Sequence, residues 1–230
     1  MNKKKPLPHC DILLYEPEVR LEYPVFNNKN EVQEMIAYFA RVSNPDNQHN
    51  KETSGKLLRY LIDHKHWSPF EMISVCMEIK TTRDIGRQIL RHRSFSFQEF
   101  SQRYAVADLG FCLREPRLQD TKNRQNSIEM EEGVDKGSFY DHQRYMIERA
   151  KCRYDVMIEC GMAKEQARSI LPEGNIYTKM YMSGTMRSWM HYIKERTDIG
   201  TQKEHREVAN LCADQLKSIF PLIKEFRYEK

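Results

Sequence analysis

The chain has 230 residues, enough to bury a full core as one domain, and its 40% hydrophobic and 30% charged residues make an ordinary soluble composition. The formal net charge of +4 is too small to signal a general nucleic-acid binder but suits anionic ligands. No apolar run approaches membrane-spanning length and no apolar signal core follows the basic start "MNKKKP", so a cytoplasmic protein without a membrane partner is expected.

Residues 1–10 read as a solvated tail, and "DILLYE" (11–16) as a short strand. In "NEVQEMIAYFARVS" apolar residues recur at 32, 35, 36 and 39, which is helical spacing. "SGKLLRYLIDHKH" predicts a second helix, stopped before "WSPFE" by Pro69. "MISVCMEIK" alternates, so that Ile73, Val75, Met77 and Ile79 share one face of a half-buried strand. "RDIGRQILRHR" predicts a short helix ending in cations, where the helix dipole favours them. Residues 119–138 are polar and aperiodic, and an exposed, mobile loop is expected. A long helix is expected at about 139–160, closed by Gly161, and "KEQARSIL" predicts another, stopped by Pro172. "NIYTKMYMS" suggests a strand. "GTMRSWMHYIKERT" and "TQKEHREVANLCADQLKSIF" predict two helices, the second starting at a Thr cap and ending before Pro221. The fold class is therefore α+β: a helix-rich single domain with a small, largely antiparallel sheet and no βαβ alternation. No GxGxxG or GxxxxGK occurs, so neither common phosphate-binding loop is signalled.

Six cysteines, at 10, 76, 112, 152, 160 and 212, form no CxxC pair and no Cys/His cluster at zinc spacing; free thiols in a reducing compartment, and no metal, are expected. Chemistry concentrates instead in "RHRSFSFQEFSQRY" (91–104). If Arg91, His92 and Arg93 are helical, the two arginines splay apart; if extended, they share a side and His92 faces away. Clustered guanidiniums match phosphate oxygens in pairs, although cations at a helix end also occur merely solvated. Ser101 lacks a GxSxG elbow and a base at a fixed position, so it reads as a hydrogen-bond donor to phosphate rather than a nucleophile. Trp189 and Tyr192, at helical spacing, read as core residues.

Arg-His-Arg followed by seven residues and Ser resembles the signature of the flavin-dependent thymidylate synthases. Other segments agree in the same order: "ARVSNP" (40–45), "HWSPFE" (66–71), "RQILRHR" (87–93), "ARSILP" (167–172), "GTMRSWMHYIKERT" (184–197) and "GTQKEHREVA" (200–209). The resemblance covers roughly residues 35–220. It implies reductive methylation of dUMP to dTMP, with methylenetetrahydrofolate as one-carbon donor, NADPH as reductant and FAD as cofactor. It also implies a homotetramer with shared active sites and no enzyme nucleophile.

Site residues follow from the same resemblance, position by position. Gln88 and Arg91 correspond to dUMP contacts from one chain. Glu99, Ser101, Gln102 and Arg103 correspond to dUMP contacts from a neighbouring chain, and Arg168 to a further dUMP contact. Ser43, His66, Ser68, Glu71, Arg91, His92, Arg93, Glu99, Thr185, Arg187 and His191 fall on the FAD side, next to Met186. Thr185 stands where Asn is frequent in the family. Arg196 corresponds to the catalytic arginine, which favours ionisation at uracil N3. A fork that stays charged can hold the oxygen and nitrogen that gain negative charge. The family's His a few residues later is replaced here by Gly200 or Thr201. Two rival readings compete. A single-stranded nucleic-acid binder would stack bases on Phe95, Phe97 and Phe100, but Glu99 sits amid that platform. A cysteine-dependent thymidylate synthase needs an activated thiol, and no cysteine lies close in sequence to Arg and His in the required way.

Overall fold

The computed structural model describes residues 12–23, 30–131 and 133–228. The expected tail, with Cys10, lies outside the described residues, as does Asp11 of the first expected strand. The elements run β1 (Glu18–Tyr23), α1 (Glu31–Ala40), α2 (Ser54–Asp63), β2 (Ser74–Thr82), α3 (Arg83–Ile89), β3 (Phe95–Glu99), β4 (Arg117–Gln119) and β5 (Ser127–Glu129). They continue with α4 (Gly137–Glu159), α5 (Lys164–Ala167), β6 (Tyr177–Thr185), α6 (Met186–Arg196) and α7 (Lys203–Lys217). This is the expected helix-rich α+β class.

The chain divides into two compact units. One comprises Pro17–Lys80, Arg87–Gln98 and Met180–Lys230. Its sheet has strand order β1-β2-β6-β3. The alternation in β2 works as expected: Val75, Met77 and Ile79 are fully buried and Ile73 nearly so. The apolar stripes of α1 (Val32, Ile36), α2 (Leu58, Leu61), α6 (Trp189, Met190, Ile193) and α7 (Val208, Cys212, Leu216) are buried as well. In each case burial of a periodic stripe holds a helix that propensity alone would leave marginal. Trp189 satisfies its indole by donating Nε1–H to the Val75 carbonyl at 3.1 Å.

β1 is one of the strands that the sequence did not announce. It pairs antiparallel with β2, with a bulge between Leu21 and Tyr23. Its alternate positions are charged: Lys80 pairs with Glu18, and Arg20 with Glu22 and Glu78. This is how an edge strand avoids pairing with other chains, while Val19 and Leu21 between the charges are half-buried. Thr201 is not the cap of α7. Gln202 occupies that position, while the Thr201 hydroxyl donates to the Glu195 carbonyl at 3.2 Å.

The other unit comprises Met1–Glu16, Thr81–Gly86 and Glu99–Lys179. The strand expected at 11–16 is reduced to one bridge, Leu14 to Leu113. The described residues of the loop expected at 119–138 are mostly exposed, but β5 lies among them and pairs as an antiparallel ribbon with β4, which ends at Gln119, so the segment is not irregular throughout. Asp120 turns that ribbon by accepting from the Lys122 and Asn123 N–H groups at 2.8 and 3.2 Å. α4 closes at Gly161, whose φ of +80° allows the Met162 N–H to reach the Met157 carbonyl at 2.9 Å. "KEQARSIL" splits into α5 and a 3-10 turn, Arg168–Ile170, before Pro172. The core clusters are Tyr154, Ala167, Leu171 and Ile176 with Ala107, and Ile12 with Leu113 and Ile147. Arg114 ties the unit together through Asp84 Oδ1 at 2.7 Å, the Gly174 carbonyl at 2.8 Å and the Tyr15 ring, 4.5 Å below it.

Candidate active site

The Arg-His-Arg segment is neither helical nor extended. α3 stops at Ile89, and residues 90–94 turn into β3, with the His92 N–H on the Ile89 carbonyl at 3.1 Å. The turn leaves Arg91 and Arg93 exposed and tucks His92 half-buried against Tyr192, ring centroids 5.0 Å apart. Neither arginine side chain makes a hydrogen bond or ion pair among the described residues. They are two available guanidiniums, the donor chemistry that phosphate groups require.

Arg196, in the last turn of α6, donates Nε–H to His92 Nε2 at 2.8 Å. Arginine has only donors to offer, so His92 must be neutral with its proton on Nδ1. Burial, and then the charge of Arg196, hold its pKa below the ordinary value, partly offset by Glu195. Arg196 Nη2 lies 3.4 Å from Glu195 Oε1. Nη1 makes no hydrogen bond among the described residues.

Gln88, one helical turn before Arg91, donates Nε2–H to Gln202 Oε1 at 2.7 Å, and its Oε1 lies 3.2 Å from Nδ1 of His205. His205 is fully buried in α7 and was not singled out by sequence reasoning. A signal for it existed: with Val208, Ala209 and Cys212 it continues the apolar stripe of that helix. Its pKa is pushed down to about 3 by burial first, then by Arg196 and His92.

The residues expected on the flavin side lie around α6. Thr185 caps that helix by accepting the Ser188 N–H at 3.3 Å. Arg187 pairs with Glu71, and Trp67 sits edge-on to His191 at 5.0 Å. His191 is held below its ordinary pKa by burial, then by Arg187 and Lys194. His66 ends α2 through its backbone: its N–H reaches the Leu61 carbonyl at 2.8 Å past a left-handed Lys65, at φ 59°. Ser68 lines a depression of about 380 Å³ with Tyr38, Val42, Pro69 and Met72. Ser43 is exposed just beyond α1.

Glu99, Ser101, Gln102, Arg103 and Arg168 belong to the other unit. Glu99 Oε1 accepts from the Thr178 hydroxyl at 2.9 Å and lies 3.6 Å from Arg83 Nη1. Gln102 is buried, and the exposed Arg103 pairs with Glu165 at 3.2 Å. Arg168 caps α5 and opens the 3-10 turn that follows. Ser101 Oγ accepts only the Arg103 N–H, at 3.4 Å, so no base activates it among the described residues. Burial pushes the Cys212 and Cys76 thiols up, Cys76 with a further push from Glu22, the opposite of an activated thiolate. Among the described residues no group of His, Cys, Asp and Glu could hold a metal, and no helix is long and apolar enough to cross a membrane. The stacking platform of the nucleic-acid reading fails. Phe95 is buried edge-on to Trp189 at 4.9 Å, and Phe97 and Phe100 are half-buried.

The sequence model of the family described as "Thymidylate synthase complementing protein" matches residues 25–222. A relative from Paramecium bursaria Chlorella virus 1, named a probable flavin-dependent thymidylate synthase, is 49% identical over 203 residues, covering 88% of this chain and 91% of its own. The flavin-dependent thymidylate synthase of a Synechocystis strain is 48% identical over 189 residues, covering 82% and 86%. Among solved structures, the UMP/dUMP methylase PolB of Streptomyces cacaoi, bound with 5-Br dUMP, has the same fold. Its TM-score is 0.79 at 23% identity, over 94% of this chain and 96% of that one.

Proposed function

The chain belongs to the family of flavin-dependent thymidylate synthases, and from that premise we propose which of its residues carry the reaction. The enzyme methylates dUMP reductively to dTMP, using methylenetetrahydrofolate as one-carbon donor, NADPH as reductant and FAD as cofactor. When bound, FAD passes on the reducing equivalents of NADPH. The residues assigned to it fit such a ligand, since Arg91 and Arg93 offer unspent guanidiniums and Ser68 lines an apolar depression.

In our reading Gln88 and Arg91 hold dUMP from one chain of a homotetramer, while Glu99, Ser101, Gln102 and Arg103 hold it from another. Arg168 contacts the same nucleotide. Ser43, His66, Ser68, Glu71, His92, Arg93, Thr185, Arg187 and His191 bind FAD, with Arg91 and Glu99 serving both ligands, and the whole chain works as one catalytic domain in the cytoplasm. Arg196 is the catalytic residue. The observation that carries this is the Arg196–His92 hydrogen bond of 2.8 Å. It fixes the plane of the guanidinium by a neutral partner, so the positive charge is not cancelled there. Nη1 is left to meet the uracil N3 and O4 edge as negative charge develops. Tyr192 and Phe95 wall His92 on the protein side and keep water from competing for that bond.

An anaerobic assay with dUMP, methylenetetrahydrofolate, FAD and NADPH tests the reading. It requires dTMP to form and the protein to take up FAD, visible in its absorption. A colourless protein that binds no added FAD and makes no dTMP would refute it.

A further inference from the structure

Four side chains form a polar relay across α3 and α7. Gln202 Nε2 lies 3.0 Å from Glu204 Oε2, Gln88 Nε2 lies 2.7 Å from Gln202 Oε1, and His205 Nδ1 lies 3.2 Å from Gln88 Oε1. Hydrogen-bond chemistry gives the relay a direction. The Glu204 carboxylate accepts, so the Gln202 amide must present its NH2 there and its oxygen to Gln88. Gln88 must then give its NH2 to Gln202 and turn its oxygen to His205. That oxygen can only accept, so His205 carries its proton on Nδ1.

Nε2 of His205 is thereby a bare acceptor, and it is buried without a hydrogen-bond partner among the described residues. An apolar residue would fill this core position without that cost. The retained donor on Nδ1 is what distinguishes histidine there. Burial and the neighbouring Arg196 and His92 keep the ring neutral, as the direction requires.

We propose that His205 is a positioning residue for dUMP: by donating from Nδ1 to Gln88 Oε1, it locks the Gln88 amide with its second N–H free for the nucleotide. The proposal rests on Gln88 contacting dUMP. His205 itself touches no substrate; it sets which end of the amide the substrate meets. Without it the amide can rotate and present its oxygen to an anionic ligand.

The test is dUMP binding by calorimetry on FAD-loaded protein, with the thermal midpoint recorded for each variant. His205→Leu keeps the volume and removes the donor, and it should weaken dUMP about tenfold, one hydrogen bond's worth. His205→Asn places an amide N–H near the Nδ1 position and should restore most of the affinity. In a Gln88→Ala background, His205→Leu should cost no further affinity, because its effect passes through Gln88. If His205→Leu does not fold, Gln202→Met cuts the relay from its exposed side and should weaken dUMP likewise. Equal loss with and without Gln88, or equal loss in the Leu and Asn variants, would overturn the assignment and leave a core residue. Unaltered dUMP binding by Gln88→Ala would remove the positioning role as well. Formation of dTMP in the anaerobic assay would then still support the enzyme.

Discussion

The imidazole of His92 accepts from Arg196 through Nε2, so its proton has one place to sit. Because Arg196 Nε donates at 2.8 Å, Nδ1 carries the proton and the guanidinium gains a neutral brace. Arg196→Lys keeps the charge but has no Nε–H in that place and no planar fork. The expected result is a fall in kcat of at least about tenfold with FAD content and thermal midpoint retained; an unchanged kcat would make Arg196 only a helix-end cation. His205 gives a second prediction, in acid. Its folded pKa is about 3 against an ordinary 6.5, so between those values the unfolded chain binds a proton that the folded chain refuses. Stability should therefore fall as pH drops below about 6.5, by up to about 1.4 kcal/mol per pH unit, with no contribution from this residue above it. His92 and His191, also held low, add to the same slope. Urea denaturation at pH 7, 6 and 5 should show a shallower slope for His205→Asn. Equal slopes in the two proteins would mean that His205 is protonated in the fold.

Among the elements, β3 links packing to the site. It lies at the sheet edge beside β6, and Phe95 drives its ring edge-on into Trp189 at 4.9 Å and faces His92 at 6.4 Å. The close approach needs a glycine opposite: a Cβ on Gly184 would stand 2.4 Å from Phe95 Cδ1 and 2.7 Å from Cε1. The ring cannot swing away without breaking its contacts with Trp189 and Tyr192. Gly184→Ala should therefore destabilise by about 1–3 kcal/mol, read as a lower urea midpoint at unchanged slope. A midpoint like that of the parent would show that Phe95 has room to move. The helices were legible because their apolar stripes recur at helical spacing, as at Val32 and Ile36 or Leu58 and Leu61. β1 was not, although Val19, Leu21 and Tyr23 alternate with Glu18, Arg20 and Glu22, because the alternation spans only six residues of an edge strand. β3 is obscured for another reason: Phe95, Phe97 and Glu99 alternate with exposed Ser96 and Gln98, but the run is short and is flanked by arginines, which gives it the composition of a binding segment. The arginines were legible by motif. His205 was not, because Gln88, the residue that gives it a role, is 117 positions away.

For the whole molecule the open question is how many chains build one site. Arg91 and Arg103 are only twelve positions apart, yet they belong to different compact units, and both are exposed. Arg91 makes no side-chain hydrogen bond or ion pair among the described residues, and Arg103 pairs with an exposed Glu165. Removing either should leave the fold intact, which makes the pair suitable for mixing. If dUMP is held by Arg91 of one chain and Arg103 of another, Arg91→Ala and Arg103→Ala homo-oligomers should each be nearly inactive. In mixed oligomers some sites collect both defects and others neither, and the latter are unaltered in composition. Activity should therefore reappear on co-expression, rising with the fraction of mixed oligomers separated by two different affinity tags. If both arginines serve a site within one chain, every site keeps one defect however the chains are mixed. Purified mixed oligomers as inactive as their parents would then show that each chain builds its site alone.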